Sequence, residues 1–559
     1  MPCNHRLAAA VALALAVSSP TLRAADDAAQ RQSLEEVRNT VINILQALVD
    51  KGLLTREQAQ QLVKQAQDKA AADAAATAAK NAEQAKEDQN AVRVPYVPQI
   101  VKDEISKEVA QQVEPAVTQD VVQQAKTEKW GIPGALPDWL SRVRVFGDVT
   151  VRQQDDLFPK DNSPYIVDIN AVNAAGGFLN TAQPYLDSTH DRYRVRVRAR
   201  LGVEGDVTDN VRAVVRLASG SLTQIASSES QTLGNYGNRY SVGIDEAYIQ
   251  WDSNARDKFS INTLQGGRFL SPWFAPTEAV FGRDLSFEGI VDTVRVGWGG
   301  GGDADRSHVY MTAGAFPMLE VPLESQADKW MLGAQFGTNL RFNDGADHLR
   351  LGIAYYDFLR VTGVLNPLDS TVNNFTAPPF VQWGNSVWNI ANNPTNQTVG
   401  LLALAAHFRV ADVAANFDHS FGRYSLALNG EVVRNLGYNL TDVEAKTGLT
   451  FPGNQNKGYV AELSFGDPAT YSLGKWRVAA GYRYMQADAV LDAWTDADFH
   501  DGGTNAKGYY FWTTVGLARN TWLRLRYFGA DSIYNQLVGP GTVATYNIDT
   551  LQLDANVRF

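Results

Sequence analysis

The most constraining feature of the sequence is a run in which arginine occupies every second position. RYRVRVRARLGVEG, residues 192–205, has five arginines on one side of the alternation and mostly apolar residues on the other. A period of two indicates a β-strand, because successive side chains point to opposite faces. The strand fits a soluble sheet with arginines in water, or a transmembrane barrel with arginines in the lumen. The arginines cannot face lipid, since each would cost about 2–4 kcal/mol near the bilayer midplane.

The same period of two extends from residue 142 to residue 559, in about sixteen segments. We predict strands near 142–155, 189–205, 210–222, 243–252, 257–268, 290–299, 307–316, 328–342, 348–360, 400–410, 423–434, 457–466, 474–487, 508–518, 521–530 and 548–559. Short turn-like connections such as GDVTDN and ARNT alternate with long ones. This layout is typical of outer-membrane barrels, and about sixteen strands leave a water-filled lumen.

The predicted fold is therefore all-β: a transmembrane antiparallel β-barrel of about 16 strands over residues 131–559. Residues 1–24 are predicted to be a secretory signal peptide. Their apolar run, LAAAVALALAV, is too short to span a bilayer as a helix, and cleavage is expected after Ala24. The single cysteine, Cys3, lies in this segment, so the mature protein is predicted to lack thiol chemistry.

Residues 25–130 have a different composition, rich in Ala, Gln, Lys, Asp and Glu and poor in Gly and aromatic residues. Apolar residues recur there at alternating steps of three and four, at Leu34, Val37, Val41, Ile44 and Leu48. This spacing predicts an α-helical, coiled-coil periplasmic segment. Two interpretations stay open for this segment, self-association and a mostly solvated tether.

The end of the chain also fits a barrel. In DTLQLDANVRF the apolar residues alternate with polar ones, and the chain stops at Phe559. A terminal aromatic residue on an alternating last strand resembles the assembly signal of outer-membrane barrel proteins, which implies the barrel-assembly machinery as a partner. Trp476, Tyr482 and Tyr484 share the outward side of KWRVAAGYRYM. They are predicted to lie at the two lipid interfaces, with outer-membrane lipid as the surroundings.

Three stretches carry a family resemblance: ALVDKGLLTREQAQQL (47–62), VRVPYVPQIVKDEISKEVAQQV (92–113) and WGIPGALPDWLSRVRVFGDVTVR (130–152). They resemble the bacterial family usually labelled "putative porin". With the barrel region, the resemblance covers most of the mature chain. It implies a diffusion channel in the Gram-negative outer membrane and a homo-oligomer, a trimer, as its assembly. The KGLLT segment is also similar to the N-terminal segment of phosphate-selective porins.

Inward-facing charges define the predicted site. A basic wall is expected from Arg142, Arg144, Arg152, Arg192, Arg194, Arg196, Arg198, Arg200, Arg212 and Arg216. In porins the third long loop, here 270–289, folds into the lumen. The acids expected in that loop or on the lumen wall are Glu278, Asp284, Glu288, Glu246, Glu431 and Glu462. We predict a transverse field between the two sets, which would enrich anions. The alternative is that these charges neutralise each other and hold the loop in place.

The predicted function is passive diffusion of small hydrophilic solutes, with anions preferred. Alternatives are a channel specific for phosphate or, given the Asn- and Trp-rich stretch 380–397, for sugars, and a structural tether of the outer membrane. The net charge of −11 argues against nucleic-acid binding. No enzymatic activity, cofactor or metal is predicted, because the histidines are scattered and neither G-x-S-x-G nor a Walker loop occurs. DHSFG (418–422) lacks evident oxyanion donors, which disfavours a lipase.

Overall fold

The computed structural model describes residues 142–559 apart from 223–229, 254–259, 299–306, 323–326, 344, 394–399, 535 and 540–541. The predicted signal peptide (1–24) and helical segment (25–130) lie outside the described residues. In the part of the chain that is described, no helix has the length and apolar character needed to cross a bilayer.

Sixteen long strands form a closed antiparallel ring in which each strand pairs with two neighbours. They are β1 (Val143–Leu157), β2 (Arg192–Thr208), β3 (Val211–Ser219), β5 (Val242–Asp252), β6 (Ser260–Leu270), β7 (Ser286–Trp298), β8 (Ser307–Leu319), β9 (Lys329–Phe342), β10 (Asp347–Leu359), β13 (Phe408–Phe421), β14 (Tyr424–Asn435), β15 (Lys457–Gly466), β16 (Trp476–Met485), β17 (Ala506–Ala518), β18 (Thr521–Ser532) and β21 (Ile548–Arg558). The ring closes because β21 pairs with both β18 and β1. The predicted barrel is confirmed.

The connections contain short elements. These are strands β4 (Gln231–Thr232), β11 (Val387–Asn389), β12 (Leu402–Leu404), β19 (Gln536–Gly539) and β20 (Thr542–Ala544), helices α1 (Ile169–Ala174) and α2 (Leu440–Thr447), and 3-10 turns at Phe178–Asn180, Asn374–Thr376, Asp492–Trp494 and Phe499–Asp501. Apart from the nine-residue link between β8 and β9 (320–328 with its gap at 323–326), the connections alternate between short turns on one side and long loops on the other.

The alternation of each strand separates a lumen side from an outward side. On β2, Tyr193 and Leu201 are exposed on the outward side, whereas Arg194 and Arg200 point inward and bind carboxylates of β1. On β16, Val478 is outward and exposed, and Arg477 is inward and buried. Along these strands, apolar residues therefore point outward and charged residues point into the lumen, as expected for a barrel whose outer surface faces lipid.

One predicted strand is wrong. A strand was expected at 400–410, but the barrel strand at this place is β13, Phe408–Phe421, and only Leu402–Leu404 before it is extended, paired with β11. The reason is visible in LLALAA (401–406), which is continuously apolar and does not alternate. Its residues 403–406 are buried in a core formed by loops, so this segment faces neither lipid nor water.

That core fills the barrel interior at the end where the long loops lie. Inward aromatic residues of neighbouring strands, among them Phe287, Phe316 and Phe408, pack there with apolar residues of the loops, such as Trp273 and Trp494. Phe287 and Trp494 meet edge to face, with ring centroids 5.4 Å apart. The water-accessible part of the lumen is consequently narrowed from this end by a hydrophobic core.

Candidate permeation site in the barrel lumen

The loop that connects β6 to β7, residues 271–285, folds into the lumen. Phe274 donates its backbone N–H to Oε1 of Gln335 on β9 at 2.8 Å, and Gln335 Nε2 donates back to the carbonyl of Phe274 at 2.9 Å. Further along, the Thr277 hydroxyl donates to Glu431 Oε2 on β14 at 2.5 Å. We call residues 271–285 the constriction loop, because these bonds hold it across the ring.

A second long loop, 486–505 between β16 and β17, binds the constriction loop. Arg483 of β16 donates to the carbonyl of Glu278 at 2.9 Å and to the Thr495 hydroxyl at 2.8 Å. Thr495 in turn donates to the carbonyl of Ala279 at 2.8 Å. Arg483 is almost fully buried, so these bonds replace its contact with water. Two loops, rather than the single one predicted, therefore shape the lumen.

The second loop is also fixed to the basic wall. Asp498 accepts from Arg152 Nη1 on β1 at 3.0 Å and from Arg526 Nη1 on β18 at 2.7 Å. Both arginines also bind Asp554 of β21, at 2.7 and 3.0 Å. Burial opposes ionisation of Asp498, but the two guanidinium groups outweigh it and hold the pKa of this carboxyl well below its usual range. Asp498 thus joins the loop to the strands at which the barrel closes.

Four arginines of β2 lie on the lumen side, at positions 194, 196, 198 and 200, and we call them the ladder. Each of them has an acceptor in the lumen. The pairs are Arg194 with Asp156, Arg196 with Gln154 (3.1 Å), Arg198 with Asp284 (3.0 Å) and Arg200 with Asp148 (2.7 Å). Asp284 belongs to the constriction loop, so this loop contacts the arginines of β2 directly. Burial opposes its ionisation, but Arg198, Arg200 and Arg283 lower the pKa of Asp284 to about 2.

The other predicted arginines differ in their surroundings. Arg142 and Arg192 are exposed at opposite ends of the wall, and Arg144 binds Glu204 at 2.9 Å while remaining partly exposed. Arg212 is buried and binds Glu204 and Asp206. Most partner acids lie on the same strands as the arginines, and sequence reasoning did not single them out. Their signal was available, since Asp148 shares the inward parity of its strand with Arg152.

A β-bulge on β5 brings two successive acids to one arginine. The pairing of β3 with β5 shifts between Arg216 and Leu217, which lie opposite Glu246 and Ile244, so that Asp245 is the extra residue. Arg216 therefore binds Asp245 Oδ2 through Nε at 2.6 Å and Glu246 Oε1 through Nη1 at 2.6 Å. Glu246 lies on the lumen side as predicted. Strict alternation would have placed Asp245 outside, and the bulge changes its side.

The remaining predicted acids lie in three different places. Glu278 binds Arg283 within the constriction loop at 3.1 Å, and burial raises its pKa to about 7. Glu462 accepts from Trp512 Nε1 at 2.9 Å on the lumen wall. Glu288 requires a correction. It lies on β7 rather than in the loop, is 57% exposed on the outward side and binds Arg268 at 2.6 Å. The strand begins earlier than predicted, which removes Glu288 from the lumen.

A cavity of about 170 Å³ lies between the constriction loop and the wall formed by β10 and β13–β18. Six arginines and five carboxylates line it. Two of these arginines have no carboxylate partner among the described residues. Arg524 donates to the Thr514 hydroxyl at 3.0 Å and lies 5.3 Å from the centroid of the Trp512 ring. Arg477 binds hydroxyl groups, including that of Ser425 at 2.8 Å.

Sequence reasoning missed Arg524, although the alternation in TWLRLRYF placed it and Arg526 on the lumen side. In the described part of the Asn- and Trp-rich stretch 380–397, several side chains are bound within the protein. Trp383 is buried against Tyr546, and the Asn385 amide donates to the carbonyl of Ala487 at 2.6 Å. Within the described residues, no three His, Cys, Asp or Glu side chains are grouped to hold a metal ion.

A closed barrel of sixteen antiparallel strands, with an apolar outward surface and a charged lumen narrowed by in-folded loops, defines an outer-membrane channel protein. The chain belongs to the family described as "Putative porin", whose model matches residues 38–559. The predicted family membership is confirmed, and with it the porin class and the outer membrane as the location.

Solved structures similar to this chain are outer-membrane proteins. OprB of Pseudomonas putida is 10% identical with a TM-score of 0.41, covering 76% of this chain and 96% of its own. The channel DcaP of Acinetobacter baumannii is 13% identical with a TM-score of 0.37, covering 75% and 97%. OmpT of Vibrio cholerae in its trimer form is 10% identical with a TM-score of 0.36, covering 75% and 99%. No curated protein sequence matches the chain. The assignment therefore rests on the family match and the strand topology.

Proposed function

We propose that this porin lets small hydrophilic solutes diffuse passively through its lumen and prefers anions. The observation that carries the proposal is the charge around the cavity beside the constriction loop, where arginines outnumber carboxylates. One of these carboxylates, Glu278, is only partly ionised near neutral pH, because burial raises its pKa to about 7. A net positive lumen raises the local concentration of anions and favours their passage.

Within this proposal, Arg477 and Arg524 are the main source of the preference. Both line the cavity, and neither forms an ion pair among the described residues, since their contacts are with hydroxyl groups and, for Arg524, an aromatic ring. Three of the four arginines from 194 to 200 instead pair with carboxylates: Arg194 with Asp156, Arg198 with Asp284 at 3.0 Å and Arg200 with Asp148 at 2.7 Å. The main role of the ladder in this proposal is structural. Its charges are neutralised by nearby acceptors, and through Asp284 it holds the constriction loop in place.

The test is a reversal potential measured across a KCl gradient, with the purified, folded protein in a planar bilayer. The unchanged protein should favour chloride. The double substitution R477Q/R524Q should lower the chloride preference, since the cavity loses two positive charges that form no ion pair. The matched control is R200Q/D148N, which removes one ladder pair without changing the net charge and should leave the preference unchanged.

Two outcomes would contradict the proposal. If R200Q/D148N loses its chloride preference as strongly as R477Q/R524Q, the preference depends on the ladder and its transverse field rather than on Arg477 and Arg524. A folded barrel that conducts no ions would favour the tether, or a channel opened only by a specific solute such as phosphate.

We further propose that residues 25–130 lie in the periplasm, because β1 begins at the side with the short connections, which face the periplasm in barrels of this class.

A further inference from the structure

Two buried carboxyl groups of the 486–505 loop converge on one dipeptide. Asp488 Oδ1 accepts from the backbone N–H of Ser386 at 2.9 Å, and Asp492 Oδ2 accepts from the backbone N–H of Asn385 at 3.4 Å. Because Asn385 and Ser386 are consecutive, their amides hold the two carboxyl groups close together. Asp488 and Asp492 are no more than 1% exposed, so neither carboxyl reaches bulk water.

The negative charge of this pair has no counterion in the described part of the chain. Among those residues neither carboxyl forms an ion pair, and Asp488 Oδ2 and Asp492 Oδ1 are buried without a hydrogen-bond donor. Burial raises the pKa of Asp488 to about 6 and that of Asp492 to about 7. Both groups are therefore substantially ionised near neutral pH. A buried carboxylate is costly unless a cation compensates it.

A third buried oxygen faces the same carboxyl groups from the neighbouring strand end. The pairing of β15 with β16 continues beyond the pair Gly458 and Met485, since Asp488 donates its backbone N–H to the carbonyl of Gln455 at 2.7 Å. This register places Gln455 directly opposite Asp488, so both side chains project from the same face of the ladder. Gln455 is 4% exposed, and its Oε1 has no donor within the described ranges.

Reversing the Gln455 amide does not provide the missing donor without a new conflict. Its Nε2 donates to the carbonyl of Gly453 at 3.0 Å, and a reversed amide would place an oxygen against that carbonyl. The Ser386 hydroxyl lies beside the Asp488 carboxyl and adds a fourth oxygen. Sets made only of oxygen ligands suit Ca²⁺ and Mg²⁺. Ca²⁺ tolerates the irregular geometry that loops supply, whereas Mg²⁺ requires a nearly ideal octahedron.

We propose that Asp488, Asp492 and Gln455 bind a calcium ion at the end of the barrel where the long loops lie. The ion compensates both carboxylates and occupies the three oxygens that have no donor. Two carboxylates are few for calcium, which places the affinity among the weak extracellular sites, with a dissociation constant of about 10⁻⁴–10⁻³ M. This range suits long loops, which face the outside of the cell in barrels of this class.

The ion acts on the pore through the residues that follow Asp492. Trp494 accepts the backbone N–H of Gly282 at its carbonyl, at 2.7 Å, and the Thr495 hydroxyl donates to the carbonyl of Ala279 at 2.8 Å. Gly282 and Ala279 belong to the constriction loop. Calcium therefore fixes the 486–505 loop and, through it, the loop that narrows the lumen.

Terbium luminescence tests the site in the purified, folded, full-length protein. Tb³⁺ replaces Ca²⁺ at oxygen sites, and Trp494, in the same turn as Asp492, can sensitise its emission. Metal-free protein should show Tb³⁺ emission on tryptophan excitation, and added Ca²⁺ should reduce it. D488N/D492N keeps the size of both side chains and should lose most of the emission. The matched control D161N/D369N removes two exposed aspartates from other long loops and should keep it.

Amide hydrogen exchange gives a readout that does not depend on terbium. Calcium at about ten times its dissociation constant should slow exchange in 486–492 roughly tenfold in the unchanged protein and have no effect in D488N/D492N. The compact form of the variant on an unheated gel confirms that it is folded. Exchange that ignores calcium in the unchanged protein, or terbium emission that D488N/D492N retains or that D161N/D369N loses equally, would overturn the proposal.

Discussion

The last residue of the chain, Phe559, lies over Gly147 of the first strand, and the two exchange both backbone hydrogen bonds at 3.0 Å. A Cβ atom on Gly147 would come within 2.7 Å of the Phe559 ring and 2.5 Å of the Arg200 carbonyl oxygen. The terminal aromatic residue therefore covers the place at which β21 closes onto β1. This contact gives Phe559 a structural role in the folded barrel, beside the assembly signal that the sequence predicts.

We expect G147A to weaken barrel closure, by about 1–3 kcal/mol as is typical of overpacking. The measurement is the fraction of chain that keeps the compact, fast-migrating form on an unheated gel as the sample temperature rises. G430A is the matched control, because a Cβ there meets no atom within 4 Å. If both variants melt alike, the Phe559 ring does not require a glycine below it.

Arg216 is expected to be essential for stability, because it satisfies both Asp245 and Glu246 in a buried part of the lumen wall. R216M leaves two buried carboxylates without this partner, and breaking a buried pair in this way costs about 3–5 kcal/mol. The urea midpoint of unfolding should fall accordingly. In R216M/D245N/E246Q, which removes the charges together, most of the loss should be regained. A triple variant no more stable than R216M would contradict this explanation.

The chloride preference should increase as the pH falls from 8 to 5. Glu278 lines the cavity, and burial raises its pKa to about 7, so it is mostly ionised at pH 8 and neutral at pH 5. Protonation removes one negative charge from the walls and leaves the arginines in excess. Reversal potentials at a series of pH values should show a midpoint near 7. In E278Q the chloride preference should stay at its high, low-pH value over the whole pH range. If E278Q keeps the pH dependence of the unchanged protein, another group causes that dependence.

Asp498 should hold the 486–505 loop down to acid pH. Burial opposes its ionisation, but Arg152 and Arg526 lower its pKa well below that of an unfolded chain. A carboxyl with a lowered pKa contributes stability that is complete above the unfolded value, near 3.9, and is lost only as the pH falls through the folded value. Amide hydrogen exchange in 486–505 should therefore stay slow from pH 7 to about 5 and accelerate in D498N at every pH in that range.

D501N is the control for this prediction. Asp501 belongs to the same loop, but its nearest arginine, Arg194, is 4.0 Å away. Exchange in 486–505 should remain nearly unchanged in this variant. Equal acceleration in D498N and D501N would mean that loss of charge in the loop, rather than the contact with Arg152 and Arg526, loosens it.

Much of the site could be predicted from strand parity. The inward side of Arg198 and the outward side of Tyr193 follow from position alone, as do the lumen positions of Glu431 and Glu462. Parity fails where the backbone is irregular. The bulge at Asp245 and the early start of β7 before Glu288 each depend on pairing with a neighbouring strand, which a single segment of sequence does not contain.

Alternation along the chain by itself determined the barrel, its strand number and the sides of most strand residues, because lipid and water impose opposite demands on successive side chains. Only the tertiary structure decided what lies in the lumen. Continuous apolar segments such as 401–406 are buried inside the barrel, and Asp284 and Asp498 bring two loops onto the basic wall. These contacts join residues far apart in the chain, and their geometry depends on the closed ring that holds both partners.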